Sequence, residues 1–184
     1  MTTQKTPKSQ RSSPTETRVP LKTLSLIRHA KSSWKYAQLD DQDRPLNGRG
    51  VRDSALMGMV LSQRGYSPSL IVSSPALRAI RTAEALAAAI GYPETGIVLD
   101  RRLYHAGASQ LMDLARQFDD ALDWVACVGH NPGLTDLVGM LVDKGPDNVP
   151  TCAVVDIRFN ARRWQEIDAA CVIDFVMDKP KLHK

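Results

Sequence analysis

Leu24-Ser25-Leu26-Ile27-Arg28-His29-Ala30 is a short apolar run that ends abruptly in a guanidinium and an imidazole. A run of this length, entered through Lys22-Thr23, reads as a buried strand of a mostly parallel sheet. In open α/β sheets, ligands bind just past the carboxyl ends of the strands. Arg28 and His29 stand at such an end. A buried charge there needs a partner, and an anion is the simplest one.

Working outward, the following segments alternate between strand and helix. Residues 31–46 show no period and read as an unusually long loop leaving directly from the Arg-His pair. Asn47 is a good helix cap, and Val51, Ala55 and Met59 give an apolar face that runs to about Arg64. Ser69–Val72 reads as a second buried strand. Ser73-Ser74-Pro75 then opens a helix with a serine cap and a first-turn proline, and Gly91 stops it. Ile97–Leu99 is a short third strand, Asp100–Ala108 a loop and Ser109–Phe118 a helix. Trp124–Val128 is a fourth strand, and Asn131-Pro132 repeats the cap-then-proline helix start. Cys152–Phe159 and Arg163–Ile167 read as a late hairpin turning at Asn160-Ala161. The pattern predicts a three-layer α/β/α sandwich with a mostly parallel central sheet.

Composition narrows the class. The chain has 184 residues with 43% hydrophobic and 24% charged, which suits one domain with a full core. The expected organisation is a flexible basic tail over 1–20, a single domain over 21–177 and a basic tail over 178–184. The net charge is +4. Lys5, Lys8, Arg11 and Arg18 against Glu16 put +3 in residues 1–20, and Lys179, Lys181 and Lys184 against Asp178 put +2 in residues 178–184. Taking both from +4 leaves the body at −1. The basic balance therefore belongs to the ends, which argues against a nucleic-acid surface. No apolar run reaches a membrane span, and no secretory leader is evident. Cys127, Cys152 and Cys171 are an odd set without zinc-ligand spacing, read as reduced thiols in a cytoplasmic protein.

Three strand-to-helix junctions each deliver a cationic or imidazole group: Arg28 with His29, Arg78 three residues after Pro75, and His130 before the last capped helix. Parallel neighbouring strands would bring them to one sheet edge. That pocket suits a tetrahedral dianion, phosphate above all, because arginine offers forked donors to its oxygens. One imidazole could then attack phosphorus while the other donates to the transferring group.

These residues resemble the histidine phosphatase superfamily, which also holds the cofactor-dependent phosphoglycerate mutases, and within it the short SixA-like phosphohistidine phosphatase branch. The resemblance rests on four stretches in order: Leu26–Ser32, Arg44-Pro45-Leu46-Asn47, Ser73–Glu84 and Val128–Pro132. It implies a phosphoglycerate mutase-like sandwich with His29 as nucleophile and Arg28, Arg78 and His130 as the phosphate pocket. It implies no metal and no cofactor. Two departures stand out. Ala30 replaces the usual glycine after the histidine. The glutamate that serves mutase-type members as proton donor has no equivalent, leaving Asp100 and His105 as candidates and Asp41 and Asp43 as others. An alkoxide needs a proton donor, whereas a phosphoramidate can release an already protonated imidazole. The missing acid therefore points to phosphohistidine on a protein, with Lys31 and Lys35 at the mouth to attract an acidic partner. A small phosphoester or nucleotide is the alternative substrate, and a phosphate-binding regulatory module is the alternative of another class.

Overall fold

The computed structural model describes residues 21–184, so the expected tail over 1–20 lies outside the described residues. Six strands, β1 (Lys22–Arg28), β2 (Leu70–Ser73), β3 (Val98–Leu99), β4 (Trp124–Gly129), β5 (Val154–Phe159) and β6 (Val172–Asp178), form one sheet in the order β3-β2-β4-β1-β5-β6. The first four in that order run parallel, and β5 lies antiparallel to both β1 and β6. Four helices cover its faces: α1 (Gly48–Gln63), α2 (Leu77–Ile90), α3 (Ala108–Ala115) and α4 (Gly133–Leu141).

The period of two along β4 builds the sandwich. Val125 and Cys127 join Leu24, Leu26, Val155 and Ile157 in one core, which α3 and α4 cover with Leu111, Leu114, Leu134 and Leu137. Ala126 and Val128 join Ile27, Ile71 and Val154 in the other, which α1 and α2 cover with Met57, Leu61, Ala83 and Leu86. Two faces buried under helices make the central strands mostly apolar, with Ser25 of β1 the buried exception, bonded to Asp156 of β5. Among the described residues no helix is long and apolar enough to cross a membrane.

Three local expectations fail. Arg163–Ile167 is not a strand. Trp164 and Ile167, three residues apart, are both fully buried, and a 3-10 turn over Trp164–Glu166 puts them on one side. The indole Nε1 donates to the Leu122 carbonyl at 2.7 Å. The hairpin partner of β5 is instead the edge strand β6, whose exposed Ile173 and Val176 blur the alternation. Ser74 and Asn131 do not cap helices: α2 starts behind Ala76 and α4 behind Pro132, neither with a side-chain cap. Residues 178–184 are not an open tail. Asp178 ends β6, is ion-paired with Arg64 and is hydrogen-bonded with His183 Nε2 at 2.6 Å. Pro180–His183 form a 3-10 turn, and Lys184 Nζ reaches the buried Asp53 on α1 at 2.7 Å.

Two glycines let site loops meet helices. A Cβ on Gly50 would lie 2.2 Å from the Lys31 carbonyl oxygen, so α1 can begin directly against the chain leaving His29. A Cβ on Gly133 would lie 1.9 Å from the Ala106 oxygen, which locks the start of α4 onto the loop after His105.

Candidate active site

The parallel pairing of β1 with β4 places Arg28 opposite Gly129. The next residues, His29 and His130, therefore leave the sheet side by side. The His29 amide donates to the Gly129 carbonyl at 3.1 Å, and the two imidazole centroids are 5.0 Å apart. β2 pairs on the other side of β4, so the chain after Ser73 delivers α2 and Arg78 to the same edge. The three junctions converge on a cavity of about 350 Å³ bordered by Arg28, His29, Arg78, His130, Asp41 and Arg44.

Hydrogen bonds fix the tautomers. His29 Nδ1 lies 2.7 Å from its neighbour's carbonyl, Ala30 O, which can only accept, so Nδ1 carries the proton. That leaves the lone pair on Nε2, towards which Arg78 Nε donates at 3.3 Å. Burial, reinforced by Coulomb repulsion from Arg78 and Arg28, lowers the His29 pKa to about 4. His130 follows the same logic. Burial first, then His29 and Arg78, bring it to about 3. Its Nδ1 lies 3.4 Å from Arg78 Nη2, so Nε2–H donates to the Ser74 hydroxyl at 2.8 Å. Both imidazoles are neutral at pH 7.

Arg78 is the hub and is buried to 4% exposure. Besides the two histidines it donates to the Asp41 backbone oxygen and, at 2.8 Å, to Asp41 Oδ2. Tyr104 donates its hydroxyl to the same Oδ2 at 2.9 Å. Partial burial alone would raise the Asp41 carboxyl, but the hydrogen bonds from Arg78, Tyr104 and Arg44 outweigh it and hold the group well below the usual carboxylate range. Asp41 is therefore an ionised carboxylate seated on the cavity's central guanidinium. Arg28 is held by the Val149 carbonyl at 2.8 Å, while its buried Nε has no hydrogen-bond partner among the described residues. An orphaned buried donor of this kind costs about 1–3 kcal/mol.

The four residues expected to form the pocket thus line one cavity. The proton-donor candidates separate. Asp100 lies outside the cavity: its carboxylate caps a 3-10 turn and is chelated by Arg102, with Nη2 to Oδ2 at 2.7 Å. Asp43 is exposed and also lies outside it. His105 lines the rim, 3.4 Å from Asp41 Oδ2, with a positive φ of 56° that is strained for a residue bearing a Cβ. Lys31 borders the cavity and Lys35 does not. Ala30 avoids the left-handed region, so its Cβ is accommodated.

Ser74, Thr82 and Tyr104 are site residues that the sequence reading missed. Thr82 Oγ1 accepts from the Ala30 amide at 2.9 Å and donates to the Arg78 carbonyl at 2.7 Å, tying the two motifs together. Its spacing of four from Arg78 along α2 was the available signal. Among the described residues no group of three or more His, Cys, Asp or Glu stands close enough to hold a metal ion.

Comparison with known proteins agrees with this geometry. Residues 24–126 match the model of the histidine phosphatase superfamily (branch 1). An uncharacterized chloroplastic protein of Arabidopsis thaliana is 30% identical over 151 residues, covering 78% of this chain and 69% of that protein. A protein of Agrobacterium tumefaciens, provisionally assigned as the phosphohistidine phosphatase SixA, superposes with a TM-score of 0.67 at 27% identity, covering 84% of this chain and 97% of that one. A protein histidine phosphatase SixA solved with tungstate gives a TM-score of 0.67 at 20% identity, over 88% of this chain and 99% of its own. Paired strand-end histidines, an arginine from the next helix and a family match spanning more than half the chain lead to one assignment: the chain belongs to the histidine phosphatase superfamily, with a SixA-like fold.

Proposed function

We propose that the chain is a metal-independent phosphohistidine phosphatase that works through a phosphohistidine on His29. The carrying observation is the His29 ring. Its Nδ1 proton is committed to the Ala30 carbonyl, its Nε2 carries the lone pair beside Arg78 in a ring that borders the cavity, and its depressed pKa keeps it unprotonated. Nε2 forms a bond to phosphorus while the bond from phosphorus to the substrate's ring nitrogen breaks. The electron pair stays on that nitrogen, and a proton already carried on the ring's other nitrogen lets it depart as neutral imidazole. Water then bonds to phosphorus, the phosphorus–Nε2 bond breaks, and phosphate leaves with the water protons shared between it and solvent. Arg28 and Arg78 stabilise the charge on the equatorial oxygens, and His130 orders Arg78. Arg28 and Arg78 both border the cavity, and their positive charge supports an anion there. The SixA assignment of the Agrobacterium tumefaciens relative supports the same substrate class.

Asp41 favours phosphohistidine over an ester. It is the one carboxylate among the described residues that line the cavity, and it is held ionised, so it has no proton to give an alkoxide. The second reading, a small phosphoester, draws on His105 at the rim beside Asp41 as a proton source. Comparing kcat/KM for a phosphohistidine peptide and for glycerol phosphate separates them. The expected preference for the peptide is at least about 100-fold, the scale of one missing general acid, with His105→Ala neutral towards it. A faster reaction with the ester, lost in His105→Ala, would reverse the assignment.

Asp41 also competes with substrate for Arg78. Removing it in Asp41→Ala is expected to tighten vanadate inhibition about 5-fold, or about 1 kcal/mol, the scale of a partly exposed ion pair. Weaker inhibition would mean that Asp41 organises the pocket rather than occupying it. Because His29 must be neutral to attack, kcat/KM should fall only as pH drops through about 4. An ordinary histidine would lose activity through about 6.5. A pH–rate profile corrected for the substrate's own titration reads this directly.

A further inference from the structure

Trp34 is the most exposed large apolar side chain among the described residues, at 75%, yet it is held in place. Its stem is pinned: Ser32 pairs with Leu46, and the Ser33 amide donates to the Pro45 carbonyl at 2.8 Å. One face of its indole lies over the Arg44 guanidinium at 3.3 Å from the ring centroid. Arg44 is itself buried to 8%, and all three of its nitrogens donate in plane, to the Ser33 carbonyl at 3.1 Å, the Ser32 hydroxyl at 2.5 Å and Asp41 Oδ1 at 2.7 Å. With those donors engaged, Arg44 presents a flat face, and Trp34 uses it as a base. Trp34 borders the same cavity as His29 and Arg78. At about 350 Å³ that cavity exceeds the needs of a phosphoryl group and falls within the range of organic ligand sites.

We propose that the free face of Trp34, fixed on Arg44 at the cavity rim, is a leaving-group subsite that takes a planar aromatic or heteroaromatic ring attached to the phosphoryl group. The proposal rests on the cavity being a phosphoryl pocket and adds what stands beside it. An exposed tryptophan loses little freedom on binding when its rotamer is already set by a buried arginine, so its stacking energy appears as affinity. A flat imidazole or phenyl ring covers the indole and gains an aromatic stack; glycerol, with no ring, cannot. The subsite therefore selects by the shape of the departing group.

Phosphonates test this without turnover. Phenylphosphonate and methylphosphonate share the phosphoryl mimic and differ in the ring. Calorimetric titration of the full chain is expected to show phenylphosphonate binding about 5- to 10-fold tighter than methylphosphonate, the scale of one aromatic stack. In Trp34→Ala the two should bind within about twofold, methylphosphonate affinity should stay at the wild-type value, and Trp34→Phe should restore most of the preference. The exposure of Trp34 makes loss of folding an unsuitable explanation, and an unchanged Tm checks that. Equal binding of both phosphonates to the wild type, or a preference that survives Trp34→Ala, overturns the subsite while leaving the phosphoryl pocket standing. Failure of both phosphonates to bind at all overturns the pocket, and the subsite with it.

Discussion

His29→Ala is expected to lower kcat by about 10⁴- to 10⁶-fold, the loss seen when a covalent nucleophile is removed and only binding and electrostatics remain. Phosphate release from a phosphohistidine peptide measures it. The size follows from how the site divides its labour. In the proposed reaction Arg28 and Arg78 would still hold the phosphoryl group, but the cavity's two other imidazoles are placed differently, and His105 stands at the exposed rim beside Asp41. His130 differs from His29 in its tautomer: its proton is on Nε2, given to Ser74, and its lone pair is on Nδ1, the ring nitrogen crowded by the side-chain stem. Folding should survive. His29 is only partly buried, and the neighbouring backbone is held independently by the Gly129 carbonyl and the Thr82 hydroxyl. A residual rate within tenfold of wild type would mean that water attacks phosphorus directly and that His29 is an anion ligand.

Arg78→Ala should lower kcat/KM by about 10³-fold, since one transition-state donor is worth about 10²–10³ and this side chain presents several. A second effect identifies the cause. Arg78 contributes to the depression of the His29 pKa, so its loss should move the acidic limb of kcat/KM upward from about 4. A purely structural lesion would lower the rate without moving the limb. Arg78→Lys is expected to recover little. A point charge cannot reach His29, His130 and both Asp41 acceptors at once, as the planar fork does.

The sandwich and the four pocket residues were legible because they obey local rules. A strand buried on both faces is mostly apolar, and its chemistry sits at its carboxyl end, so Arg28, His29, Arg78 and His130 could be placed without coordinates. The proton-donor candidates depended on something no spacing reveals. Asp41 reaches Arg78 across 37 residues and Tyr104 across 63, through a loop whose path is set by Arg44 and the Ser32–Leu46 pairing. Asp100 looked equally available until its carboxylate proved to be satisfied two residues away by Arg102. Ser74 and Asn131 carry cap-like sequence, but tertiary partners claim their side chains: His130 takes the serine, and Asn148 and Val149 take the asparagine. The late strand β6 was illegible because an edge strand with exposed Ile173 and Val176 has no clean alternation.

Rapid-quench trapping reads covalent chemistry at His29 itself. The full-length protein is mixed with a phosphohistidine peptide labelled with radioactive phosphorus, quenched in alkali within milliseconds and digested for mass spectrometry. A base-stable, acid-labile phosphoryl group is expected on the peptide containing His29, formed before phosphate release and lost in His29→Ala. Phosphate released with no trapped intermediate at any time, or a label carried on another residue and retained in His29→Ala, would contradict covalent chemistry there.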